Sequence, residues 1–134
     1  MLTEHPRTTD FGVIYRLFDA IEGGDMDAMR RCFAPGALTW HNHDNVEMDL
    51  DSVVGLIGHL CSVSTSRAYT DRRVATVDAQ AFVQHTLTAA LRSGRQLQMP
   101  TIMRIEVNSD GLVARLEEYL DSRAFDCLAE EVPA

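Results

Sequence analysis

Residues 81–108 read AFVQHTLTAALRSGRQLQMPTIMRIEVN, and their alternation is the strongest structural signal in the chain. From Ala81 to Arg92, Val83, His85, Leu87, Ala89 and Leu91 share one face, while Gln84, Thr86 and Thr88 share the other. Gln96 to Asn108 repeats the pattern with Leu97, Met99, Thr101, Met103, Ile105 and Val107 on one face. A period of two sustained this long fits a half-buried strand and not a helix. Ser93-Gly94-Arg95 between the two segments is a three-residue turn in which glycine can take a positive φ. The stretch therefore predicts a long antiparallel hairpin with one apolar face.

Flanking segments extend that sheet. Ala68 to Val77 predicts a strand before the hairpin, and Ser109-Asp110-Gly111 turns the chain into another, Leu112 to Asp121. Upstream the period changes to 3.6. Phe11, Ile14, Tyr15, Leu17, Phe18 and Ile21 make an amphipathic helix over Asp10 to Ile21, with Thr9 or Asp10 as its cap. Gly23-Gly24-Asp25 stops it and starts a second helix carrying Met26, Met29 and Phe33, which Pro35-Gly36 ends. Ala37 to Asn42 reads as a short strand, followed by a polar loop at His43, Asp44 and Asn45. A third helix runs from Leu50 to Ser62, capped by Asp49 or Asp51, and a last short one covers Arg123 to Leu128. Helices first and long antiparallel strands after them define an α+β plan, in which helices cover one face of a curled sheet.

Composition narrows the function classes. The 134 residues suffice for one domain, with a core over about 10–128. All 12 basic residues are arginine, so Schiff-base lysine chemistry is excluded. A net charge of −8 without a basic run argues against nucleic-acid and anionic-membrane partners. No apolar stretch reaches the ~20 residues of a membrane span, and Met1 to Asp10 lacks the apolar core of a secretory signal. Cys32, Cys61 and Cys127 are widely spaced within apolar helical patterns, which predicts buried free thiols in a cytoplasmic protein.

Polar residues on apolar faces are the candidates for chemistry. His85 is the one ionisable side chain on the inner face of its strand, as a core histidine, an acid/base or a donor to a ligand oxygen. Thr39 and His41 share one face of the first strand, with Leu38, Trp40 and Asn42 on the other. His41 and His43 have the spacing of a metal pair, but no HxxxH or nearby carboxylate completes a set, so no metal is expected. In the final strand Val113, Arg115, Glu117, Tyr119 and Asp121 form one face, and Leu112, Ala114, Leu116 and Leu120 the other. Periodicity leaves open whether Asp121 is solvated or curls over a pocket.

Three stretches carry a family resemblance: Asp19-Ala20-Ile21-Glu22-Gly23-Gly24-Asp25, Cys32-Phe33-Ala34-Pro35-Gly36-Ala37, and Asp110-Gly111-Leu112-Val113 with Glu118-Tyr119-Leu120-Asp121. In order and spacing the chain resembles the SnoaL-like, polyketide cyclase-like branch of the nuclear transport factor 2-like superfamily, which also holds ketosteroid isomerases, scytalone dehydratase and limonene epoxide hydrolase. The resemblance implies a cone: a curved antiparallel sheet packed on three N-terminal helices, a cystatin-like α+β barrel around a deep apolar pocket, commonly as a homodimer. It further implies that Asp121 turns into that pocket as an acid/base, and it aligns His41 with the ketosteroid isomerase base. The isomerase acid falls near Thr101 or Ile102 and its tyrosine on Leu17, and only one member of the epoxide hydrolase's catalytic set is retained. These departures argue against both of those reactions.

The expected function is therefore a cofactor-free cyclase- or dehydratase-like lyase or isomerase acting on an apolar oxygenated molecule. Asp121, His85 and His41 would be catalytic; Tyr119, Trp40, Asn42, Thr39, Tyr15, Leu87, Met99, Thr101 and Met103 would contact the ligand. The alternative is a non-catalytic ligand-binding or assembly module of the same fold. Simple three-residue turns set His85 beside Met103 and Met99 beside Asp121, which separates His85 from Asp121 by about 13 Å along the strands.

Overall fold

The computed structural model describes residues 8–132. The reading of Met1 to Asp10 as free of a secretory signal lies, for residues 1–7, outside the described residues. Helices α1 (Gly12–Glu22) and α2 (Met26–Arg31) lead into strand β1 (Phe33–His41), followed by β2 (Val46–Met48) and helix α3 (Leu50–Val63). Strands β3 (Ser64–Val77), β4 (Gln80–Leu91), β5 (Gln96–Val107) and β6 (Val113–Leu120) follow, and helix α4 (Ser122–Ala129) comes last. The six strands form one curved, unclosed sheet in the order β2-β1-β6-β5-β4-β3.

The sheet departs from the expected antiparallel arrangement at one pairing: β1 lies parallel to β6, and the other four pairings are antiparallel. The crossover that parallel pairing requires is the whole chain between β1 and β6. Alternation on β4 and β5 holds throughout. Each odd residue from Ala81 to Leu91 and from Leu97 to Val107 is buried, while Phe82 and Ile102 stay 39% and 46% exposed on the opposite face. Val13, Ile14, Phe18, Val83 and Ile105 reach 0% exposure, so each contributes about 1.5–3 kcal/mol of burial.

Several boundaries differ from the sequence expectation. Pro35-Gly36 interrupts β1 instead of ending α2; the strand's pairing to β6 shifts between Phe33 and Leu38, and Gly36 takes φ 77°. Proline without an N–H and glycine at positive φ are tolerated in a strand at such an irregularity. The polar loop after His41 contains a turn at Asn45, φ 55°, that returns the chain into β2. The N-cap of α1 is Phe11 and not Thr9 or Asp10, though Asp10 accepts the N–H of Gly12, the helix's first residue, at 2.8 Å, and Asp49 caps α3 through the Ser52 N–H at 2.8 Å. The three cysteines are free; Cys32 is buried, but Cys61 and Cys127 are only half-buried.

One irregularity positions the candidate site. Val107 pairs with Val113, as a simple hairpin requires, but Glu106 pairs with Arg115. Ala114 is thus an extra residue, a β-bulge, and beyond it the inner face of β6 passes from odd to even positions. Leu116, Glu118 and Leu120 face the core, and Tyr119 is 48% exposed. The expected registers change at two places: the β4–β5 turn sets His85 beside Thr101 and not Met103, and the bulge sets Thr101 beside Leu120 and Met103 beside Glu118.

Candidate active site

Between the inner face of the sheet and helices α1, α3 and α4 lies a cavity of about 50 Å³. Its walls are almost wholly apolar, with Leu17, Ile21, Val53, Leu60, Leu87 and Leu97 among them. Thr39, His41, Tyr69 and Glu118 are its polar and titratable side chains. Such a volume holds a few waters, and a larger ligand has to displace side chains. Met99 and Met103, which also line it, have the flexibility to move.

His41 and Glu118 face each other because β1 and β6 run parallel in a register that pairs these two residues. His41 Nε2 stands 3.1 Å from Glu118 Oε2, with side-chain exposures of 3% and 12%. A carboxylate only accepts, so the nitrogen facing it is an N–H donor. This contact orients the imidazole in the cavity wall, as a positioned base requires.

Tyr69 and His85 stand beside this pair. The Tyr69 ring stacks on Phe18 at 4.2 Å between centroids, and His85 meets both rings edge-on, at 5.1 Å from Tyr69 and 5.3 Å from Phe18. Burial, reinforced by the negative Glu118, raises the Tyr69 pKa far above its ordinary value, so the phenol keeps its proton. Burial lowers the His85 pKa, against an opposing pull from Glu118, so the ring is neutral near pH 7. His85 is 2% exposed, and neither ring nitrogen has a hydrogen-bond partner among the described residues.

The other expected site residues divide between the two faces. Thr39, His41, Leu87, Met99 and Met103 line the cavity. Thr101 is buried on the inner face beside His85, and its hydroxyl donates to the Met99 carbonyl at 3.2 Å. Asp121 does not enter the cavity. It is exposed beyond the end of β6 and caps α4, accepting the Arg123 N–H at 2.9 Å. The bulge at Ala114 is the reason, since it turns the odd residues of β6 outward. Trp40 and Tyr119 meet edge-on at 5.3 Å on the outer face, where Trp40 also donates to Asn45 at 2.8 Å. Asn42 is exposed and accepts the Leu120 N–H at 2.9 Å, and Tyr15 is 49% exposed on α1. Among the described residues no cluster of three or more metal-ligating side chains occurs.

Sequence reasoning missed Glu118 and Tyr69. A signal existed for Glu118: it has the parity of Leu116 and Leu120, so a charge interrupts an otherwise apolar face. Its neighbour Glu117 points outward, where Arg104 and Arg115 hold it at 3.1 and 2.8 Å and keep its pKa low, chiefly through the Arg115 hydrogen bond. The two adjacent glutamates thus lie on opposite sides of the sheet.

Residues 14–116 match the family model of the SnoaL-like domain. The chain belongs to this family. As a SnoaL-like domain of the nuclear transport factor 2-like superfamily, it shares its fold with many solved structures. BvnE pinacolase from Penicillium brevicompactum superposes with a TM-score of 0.79 at 13% identity, over 97% of this chain and 94% of that one. PrhC from Penicillium brasilianum NBRC 6234 gives 0.73 at 13% identity, over 87% and 83%. A protein from Jannaschia sp. CCS1, described as a SnoaL-like polyketide cyclase, gives 0.72 at 19% identity over 99% of both chains. No curated protein sequence matches. This SnoaL-like domain shares its fold with proteins described as polyketide cyclases and a pinacolase, and no helix among its described residues is long and apolar enough to cross a membrane.

Proposed function

We propose that this SnoaL-like protein is a cofactor-free lyase or isomerase that moves protons on an uncharged, apolar, oxygenated small molecule. The observation that carries this reading is the buried His41–Glu118 pair in the wall of an apolar cavity. His41 takes a proton from the carbon α to a carbonyl, and Glu118 stabilises the imidazolium that forms. The proton then returns to a second carbon, or to a hydroxyl that leaves as water. Such general acid–base help is worth about 10²–10⁴-fold. In this reading Glu118, and not Asp121, is the carboxylate of the site, and His41 is the base. The Tyr69 phenol, kept protonated, is a donor available to the developing enolate oxygen.

Solvent deuterium incorporation into a panel of uncharged cyclic ketones tests the reading. Wild-type protein should exceed the buffer rate on at least one ketone, and His41→Ala should return that rate toward buffer. Equal rates for the two proteins would overturn it.

One observation favours the second reading, a non-catalytic binding module: Met99 and Met103 leave only about 50 Å³ free. Binding of an apolar ligand with no proton exchange on any ketone would support that alternative. For assembly, the outer sheet face exposes Phe82, Ile102 and Tyr119, which suits a homodimer contact. A monomer by light scattering at micromolar concentration would contradict the dimer. Free thiols fit a reducing, cytoplasmic setting.

A further inference from the structure

We propose that His85 is the residue that selects the ligand, and that the ligand is an uncharged molecule presenting a hydroxyl to it. This deepens the reading above, since it rests on the cavity taking an apolar oxygenated molecule.

The imidazole is 2% exposed, and both of its nitrogens lack a hydrogen-bond partner among the described residues. Buried polar groups are otherwise paired, because leaving one unpaired forfeits its hydration without return. The Val83 backbone pulls on the ring less than Glu118 does and makes no bond of full hydrogen-bond geometry to either nitrogen, so a leucine or phenylalanine would pack there without that penalty. His85 is therefore retained at the expense of stability, a pattern that marks functional positions.

Its surroundings say how a ligand reaches it. On β4, Leu87 follows two residues later on the same face and lines the cavity. On β5, Met99 and Met103 flank its pairing partner Thr101 and also line the cavity. Tyr69, whose ring lies 5.1 Å away, lines it from β3. His85 does not itself line the cavity but adjoins, along its own strand and across β5, a lining that includes two methionines, whose unbranched side chains swing aside more readily than any neighbour. Their displacement enlarges the cavity and exposes the imidazole together.

The chemistry of the ligand follows from the ring. A neutral imidazole offers one N–H and one lone pair, and a hydroxyl, which both donates and accepts, complements either. A carboxylate would bring a second negative charge into the cavity that holds Glu118, and a hydrocarbon would leave both nitrogens unpaired.

Phenol, toluene and benzoate are suitable probes because phenol and toluene have nearly the same shape. Affinities come from NMR titration of protein labelled with ¹⁵N-histidine. Wild-type protein should bind phenol at least as tightly as toluene, although transfer from water favours toluene. The His85 ring resonances should shift with phenol and not with toluene, and benzoate should not bind. In His85→Phe the phenol-to-toluene affinity ratio should fall about tenfold, while the thermal midpoint stays level or rises. His85→Gln, which keeps a donor and an acceptor, should retain part of the preference and serves if the phenylalanine variant does not fold. An unchanged ratio in both variants, benzoate binding comparable to phenol, or no binding of phenol at millimolar concentration would overturn the proposal. Glu118→Gln should keep the phenol preference while losing deuterium exchange, so the two readings fail separately.

Discussion

His41 Nε2 and Glu118 Oε2 are 3.1 Å apart inside the cone, although 77 residues separate them in sequence. Two features bring them together: the parallel pairing of β1 with β6, and the bulge at Ala114 that turns Glu118 inward. If either were absent, the cavity would lack this ion-pairing geometry.

Deleting Ala114 tests the bulge. Without the extra residue Arg115 follows Val113 in a simple register, Glu106 still meets Arg115, and Leu116, Glu118 and Leu120 keep their inward places. Urea unfolding should therefore show a loss of no more than about 1–2 kcal/mol, with the transition still cooperative. A loss of about 4 kcal/mol or more, or no cooperative transition, would contradict the register argument.

Asp121 has a structural role at the start of α4. Its carboxylate caps the helix, so Asp121→Ala should cost about 0.5–2 kcal/mol in denaturant titration. Proton exchange should remain within about twofold of wild type, since this carboxylate lies outside the cavity wall. A stability within error of wild type would show that the cap contributes little.

His85 makes stability depend on pH. Burial holds its folded pKa below the ordinary 6.5, against the pull of Glu118 on β6 and of the Val83 backbone, while Arg72 on β3 adds to the lowering. The unfolded chain therefore takes up a proton that the folded protein refuses, starting near pH 6.5. The stability tied to the neutral ring is fully present above that pH and declines as pH falls, by at most about 1.4 kcal/mol per pH unit. His85→Phe should flatten this part of the profile. Parallel profiles for the two proteins between pH 7 and 5 would refute the assignment of a depressed pKa.

Helix α4 closes one side of the cavity with Ala124 and Leu128 and is fastened at its C-terminal end. Glu131, 5% exposed, accepts from Ser93 and Arg95, and Arg95 also donates to the Cys127 carbonyl at 3.1 Å. These hydrogen bonds, the Ser93 one first, lower the Glu131 pKa from its ordinary 4.5. The fastening is thus complete above pH 4.5 and is lost as pH falls through the lowered value. Glu131→Gln should speed labelling of the Cys127 thiol at neutral pH, read by peptide mapping. Unchanged labelling would show that the clasp does not hold α4.

Much of this architecture is legible in the sequence, because β4 and β5 alternate without interruption and α1 and α3 keep a clean apolar stripe. What periodicity could not supply was the step in phase at Ala114. A bulge leaves no local mark when the residue inserted is an alanine between Val113 and Arg115, and a shift of one residue exchanges every side chain between faces. That is why Asp121 and Tyr119 read as pocket residues and Glu118 was passed over. His41 and His85 read as inward-facing, and are buried, because their strands keep phase. Tyr69 was missed because Asp71, at φ 54°, breaks the alternation of β3 beside it.

The most direct measurement compares Glu118→Gln with Asp121→Asn in solvent deuterium incorporation into a cyclic ketone that the wild-type protein turns over. Glu118→Gln should lower the rate about 10²-fold or more, and Asp121→Asn should leave it near wild type. The reverse result, with Asp121→Asn inactive and Glu118→Gln unaffected, would contradict the assignment of the His41–Glu118 pair.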